Sequence, residues 1–136
     1  MTLLCTLNLA FLYSFFSRLN SEIVDAKQKL GGIEYGTVTV TAAASADLKG
    51  VHKVNKTAYL TLHGKTVTHA LTSGIAHFQS SIPPASPTYI PYFIMNGASS
   101  RVQLAYMDQN GNISLAGGED IGINEWFLFS TSYRTN

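Results

Sequence analysis

The chain has 136 residues, of which 46% are hydrophobic and only 12% charged, with a net charge of +1. Its length suits one compact domain plus a short appendage, and its scattered Lys and Arg exclude the basic footprint of a nucleic-acid binder. The single cysteine, Cys5, excludes an intrachain disulfide or a cysteine-built zinc site and reads as a small buried apolar residue.

The first stretch, MTLLCTLNLAFLYSFFSRLN, is the most apolar of the chain and carries no charge up to Ser17. A signal peptide is disfavoured, because no basic residue precedes the apolar run and no small-residue cleavage site closes it. The run is also shorter than the ~20 residues of a spanning helix. Spacing gives another reading. Cys5, Leu9, Leu12, Phe16, Leu19, Ile23, Ala26 and Leu30 follow alternating steps of four and three, the heptad stripe of a coiled coil. Arg18, Asn20, Glu22, Asp25, Lys27 and Lys29 give the later half a polar outer face, and Gly31-Gly32 ends the helix. The first half is apolar nearly all round, which suits protein or lipid as a neighbour. A self-associating stalk over residues 1–32, with membrane contact by its N-terminal part as a compatible addition, is the expectation.

Beyond Gly32 the period switches to two. IEYGTVTVTA alternates and suits a strand, whereas AASADLKGVHKVNK is small and polar and reads as a loop. TAYLTLHGKTVTHALTSG reads as a hairpin reversing at His63-Gly64-Lys65. IAHFQSSI is a further strand. PPASPTYIP holds all four prolines and reads as a rim loop, since proline offers no ladder donor. YFIMNG resumes an extended run. RVQLAYMDQNGNISLAGG forms a second hairpin, with Val102, Leu104 and Tyr106 facing the same way as Ile113 and Leu115, and with Asn110-Gly111 supplying positive φ angles. EWFLFSTSY is too continuously apolar for a strand with one wet face, so a neighbouring subunit is expected to cover its second side. Together these elements predict an all-β, jelly-roll-like sandwich or barrel over residues 33–136, preceded by a short coiled-coil stalk. The simplest assembly is a parallel homotrimer, although the heptad stripe alone does not fix the strand number.

Three elements carry a resemblance: the P-x-Y-x-P loop of Pro87 to Pro91, the D-x-N-G-N-I hairpin of Asp108 to Ile113, and the F-S-x-S-Y close of Phe129 to Tyr133. In this order they resemble the head domains of phage tail appendages, the baseplate receptor-binding and tail-fibre proteins of phages infecting Gram-positive bacteria. The resemblance covers about the last fifty residues, and AYLTLHGKTVTHALTSG also looks like the early strands of such heads. It implies a homotrimer in a virion, attached to other tail or baseplate proteins. Its heads would bind a host cell-wall saccharide or teichoic-acid-like polymer without catalysis.

The sequence offers little for chemistry. His52, His63, His69 and His77 fit no zinc signature. Asp108, Asn110 and Asn112 suggest part of a calcium loop, but the rest of that pattern is incomplete, so a turn is the better reading. No serine sits in a G-x-S-x-G elbow, and a facing carboxylate pair for glycoside hydrolysis is not evident. No metal, cofactor or catalytic group is expected. Sugar binding needs aromatic faces beside carboxylates, amides, Arg or His. The candidates near predicted rims are His77, Tyr89, Tyr92, Arg101, Asp108, Glu125 and Trp126. The rival readings are a purely structural tail appendage and a trimeric binding module of the tumour-necrosis-factor or C1q type, with a small glycan hydrolase ranking last.

Overall fold

The computed structural model describes residues 2–29 and 32–136, with side chains described at residues 9–26 and 32–136. The chain divides into two compact units, residues 1–32 and 33–136. The first holds one helix, α1 (Thr2–Lys29), in which no Gly or Pro interrupts the run. The stripe of Leu9, Leu12, Phe16, Leu19 and Ile23 is exposed along it, as are Phe11 and Tyr13 on other faces. Leu30 and Gly31 lie outside the described residues, as does the side chain of Cys5. Among the described residues no helix is long and apolar enough to cross a membrane.

The second unit is a single antiparallel sheet of nine strands: β1 (Ile33–Gly36), β2 (Val38–Val40), β3 (Ala44–Val54), β4 (Thr57–Thr66), β5 (Ala76–Ser80), β6 (Thr88–Asn96), β7 (Ser99–Met107), β8 (Asn112–Leu115) and β9 (Trp126–Arg134). Their order is β1-β3-β4-β9-β6-β7-β8-β5-β2. Only Thr37 separates β1 from β2, yet β1 pairs with β3 at one edge and β2 with β5 at the other. One bent segment therefore joins both edges and brings the sheet nearly to closure, as a barrel or sandwich. Ser81 fastens the join: its hydroxyl accepts from the Thr37 N–H at 2.7 Å, and its own N–H donates to the Thr37 carbonyl at 2.9 Å.

Alternation along each strand fills the interior. In β9, Phe127 and Phe129 point inward while Trp126, Leu128 and Ser130 point outward, so the apolar run WFLF obeys the period of two after all. Phe129 stacks on Tyr92 at 4.8 Å between ring centroids, nearly parallel at 10°, and both Phe127 and Phe129 lie against Phe78. Tyr133 closes this layer. Its buried hydroxyl donates to the Ile82 carbonyl at 2.6 Å and meets Ser80 Oγ at 2.9 Å.

The sequence reading of several elements needs correction. AASADLKGVHKVNK is no loop but holds the whole of β3, an eleven-residue strand that reverses into β4 through Asn55, whose φ is 56°. His63-Gly64-Lys65 is no turn, because β4 runs straight through it. Gly64 is needed there for close approach: a Cβ would stand 2.7 Å from the Phe127 ring and 2.6 Å from the Ser45 carbonyl. Pro91 lies within β6 rather than in the rim loop. It pairs with Leu104 on one side, while the β6–β9 ladder spans only Phe93 to Met95, so no strand requires its missing donor. In the β7–β8 hairpin, Val102, Leu104 and Tyr106 face outward, and Ile113 and Leu115 instead share the interior with Ala105 and Met107. The turn is longer than a two-residue reversal, and only Gly111 takes a positive φ, 84°.

Candidate functional site

The seven residues expected to bind saccharide fall into separate places. Tyr92 is a correction: its ring is fully buried against Phe129 and is no rim group. Alternation decides this, since Tyr92 shares the inward parity of Ile90 and Ile94. Burial pushes its phenol up to about 12, and its hydroxyl has no hydrogen-bond partner among the described residues.

Arg101 and Glu125 do come together, but they saturate each other. Arg101 Nη1 and Nη2 donate to the two carboxylate oxygens of Glu125 at 2.9 and 3.2 Å, and Nε donates to Glu119 at 2.9 Å. Glu125 also accepts from the Gly122 N–H at 2.8 Å. The Arg101 guanidinium, and secondarily that N–H, hold the Glu125 carboxyl below its usual 4.5 against the opposing effect of burial. This cluster binds the 117–124 loop across one end of the sheet, with the Asp120 carboxylate accepting from the Ser73 N–H at 2.8 Å.

Asp108 is a turn residue. Its carboxylate accepts from the N–H groups of Asn110 and Asn112 and from the Asn112 side-chain amide, all within 2.9 Å. The amide leads in lowering its pKa. His77 Nε2 donates to the Thr72 carbonyl at 2.8 Å, on β5. Tyr89 is 62% exposed and lies 5.4 Å from Tyr106 across β6 and β7. Trp126 is 36% exposed on the outer face of β9. It stacks on His63 at 5.0 Å and 13°, with Lys65 Nζ 5.6 Å from its ring. His63 Nδ1 is in turn 2.6 Å from an Asp47 carboxylate oxygen.

A different group is better arranged for a ligand. Tyr35, His52 and Tyr59 lie side by side across β1, β3 and β4, because the two registers set Tyr35 opposite His52 and His52 opposite Tyr59. His52 and Tyr59 are stacked at 5.2 Å and 17°, and Tyr35 lies 6.4 Å beyond His52. All three are exposed on the outer face. The register next sets Ser132 against Tyr59 and Ser130 against Thr61. Open cavities of about 330 and 410 Å³ lie along this row and share His52 and Thr61. Sequence reading missed the row because it placed His52 in a loop, where it has no cross-strand partner. The signal was the near-symmetry of HKVNKTAY about Asn55-Lys56, which puts His52 and Tyr59 on one face of a hairpin.

Among the described residues, no three His, Cys, Asp or Glu side chains are grouped to hold a metal ion. Glu119 and Glu125 are brought near one another only through the arginine between them. No protein-family model matches the chain, and no curated protein matches it at a significant level.

Proposed function

We propose that the chain is the head and stalk of a phage receptor-binding protein that recognises a host cell-surface saccharide without catalysis, as part of a virion tail or baseplate. The observation that carries this reading is the exposed row Tyr35, His52 and Tyr59 beside the hydroxyls of Thr61, Ser130 and Ser132. Aromatic faces suit the apolar side of a pyranose ring, and hydroxyl side chains suit its rim. The carboxylates offer a general acid little support: Glu125 is held ionised by Arg101, and Asp108 is spent on its own turn.

The finer architecture in this reading is a jelly-roll head on a coiled-coil stalk, assembled as a homotrimer. Two features support it. The stripe Leu9, Leu12, Phe16, Leu19 and Ile23 is exposed along α1, and the outer face of β6 and β7 presents Tyr89, Phe93, Val102 and Leu104 to solvent. Three weak saccharide sites on one trimer would act together on a polymer. The test is binding of labelled full-length protein to purified wall polysaccharides and teichoic acids of Gram-positive bacteria. Retention on some walls and not others is expected, and silence across all of them would overturn the proposal.

A further inference from the structure

Tyr59 uses one face of its ring on His52. His52 stands on β3 and Tyr59 on β4, so the opposite face of Tyr59 turns toward β9, the next strand in the sheet. What it meets there is small and polar: Ser132 directly across, with Ser130 and Thr61 one step along. The 410 Å³ cavity lies over these groups, and the 330 Å³ cavity continues it over β3, past Leu48 and Gly50. Each is near the lower end of the ~300–1,000 Å³ range of small-molecule pockets. Sharing His52 and Thr61, they form one trough across four strands, β1, β3, β4 and β9, and strands about 4.8 Å apart give it a length of about 14 Å, room for two or more linked sugar rings.

Gly50 is the second observation. It lies inside β3, opposite Thr61, on the outward parity shared by Leu48 and His52. A Cβ built there meets nothing within 4 Å. Glycine weakens a strand interior, and neither a turn nor a close neighbour calls for it here, whereas close approach of a ligand would. Charge narrows the ligand further. Apart from Lys49 at the margin of the smaller cavity, neither cavity is lined by Lys, Arg, Asp or Glu. A phosphate-rich polymer would find a single cation, whereas an uncharged sugar finds rings and hydroxyls.

We propose that this trough seats an internal stretch of a neutral, linear pyranose polymer. One ring stacks on the free face of Tyr59 with its hydroxyls on Thr61, Ser130 and Ser132, and the next ring lies over Gly50. The proposal rests on the saccharide-binding reading above, and adds that the sugar is uncharged and recognised as more than one residue. The test is calorimetric and NMR titration of the full-length chain with neutral gluco- and manno-oligosaccharides of one to six residues, and with polyglycerol phosphate as the anionic probe. Affinity for one of the neutral series should rise at least tenfold from monosaccharide to trisaccharide, with amide shifts on β3, β4 and β9. Tyr59→Ala should lower trisaccharide affinity at least tenfold. Gly50→Leu, which extends into open space, should do the same with an unchanged circular dichroism spectrum. If the wild type binds neutral oligosaccharides but Gly50→Leu binds them equally, or the shifts fall on β6 and β7, the trough proposal falls and the saccharide reading stands. Preference for polyglycerol phosphate would overturn the neutral class alone. Silence of the wild type toward every wall polymer would overturn the saccharide reading, and the trough with it.

Discussion

Two buried tyrosines separate the value of a hydroxyl from the value of a ring. Tyr133 donates to the Ile82 carbonyl and meets Ser80 Oγ, so its hydroxyl is satisfied. Tyr92 is buried as deeply, yet its hydroxyl has no partner among the described residues. Removing a satisfied hydroxyl strands its partners, at a cost of about 1–3 kcal/mol, while removing an unsatisfied one relieves a desolvation penalty. Tyr133→Phe should therefore lower the denaturant midpoint clearly. Tyr92→Phe should leave it unchanged or raise it by up to about 1 kcal/mol in stability. Equal losses for the two would show that Tyr92 has a bonded partner.

Arg101 gives a charge prediction at the same scale. Glu125 has its pKa lowered in the folded chain, by the Arg101 guanidinium first and by the Gly122 N–H in addition. A carboxyl with a lowered folded pKa binds fewer protons folded than unfolded. Its stabilisation is therefore present above the ordinary value of 4.5 and is lost as pH falls below it. Asp108 acts in the same direction below its ordinary 3.8. Melting temperature should fall on acidification through this window. Glu125→Gln should begin lower at pH 7, by about 1–2 kcal/mol for the lost charge-assisted bonds, and lose less on acidification. A parallel pH profile for wild type and variant would refute the assignment.

At the scale of elements, the β7–β8 hairpin shows what a short motif determines. Gly111 has a φ of 84°, and a Cβ there would collide with the Ser80 carbonyl of β5. The Gly111 carbonyl also accepts from the Ser80 N–H at 2.9 Å, so this turn fastens β5 as well as joining β7 to β8. Gly111→Ala combines a left-handed backbone with a steric clash and should cost about 2–4 kcal/mol by thermal unfolding. Asn110→Ala removes neither constraint and should cost well under half as much.

The Asp108–Gly111 turn was legible in sequence because its residues carry the backbone requirement themselves. So was the all-β body, which follows from alternation. β3 was not legible, because a register shift between Ala46 and Leu48 breaks its alternation: Ala44 and Ala46 pack on the core before it, and Val51 after it, on the opposite parity. Gly64 misled because glycine marks both a turn and a close approach, and only the Phe127 ring decides between them. Tyr92 misled for a related reason. Proline neighbours suggested a rim, but Pro91 is tolerated inside a strand where one ladder is missing. The candidate site was the least legible part, because the Tyr35–His52–Tyr59 row exists only once three strands are in register.

The whole molecule poses a question of cover. Every described side chain of α1 is exposed within the chain, including Leu9, Leu12, Phe16, Leu19 and Ile23. A helix this apolar is not stable alone in water, since most helical stability comes from burying an apolar face. In the proposed trimer, self-association along the heptad stripe would supply that burial with no second protein. Light scattering should then give a mass of three times the 14.7 kDa chain. Phe16→Asp places a charge in the middle of the seam, where three copies would meet as like charges in a dry environment. It should shift the mass toward 14.7 kDa and lower the helical circular dichroism signal, while near-ultraviolet signals from the β body persist. Phe11→Asp lies off the stripe and should leave the trimer intact. If both variants dissociate it equally, no heptad seam exists and the helix associates through its whole apolar circumference. If neither does, assembly resides in the outer face of β6 and β7, and Leu104→Lys becomes the variant that releases monomers.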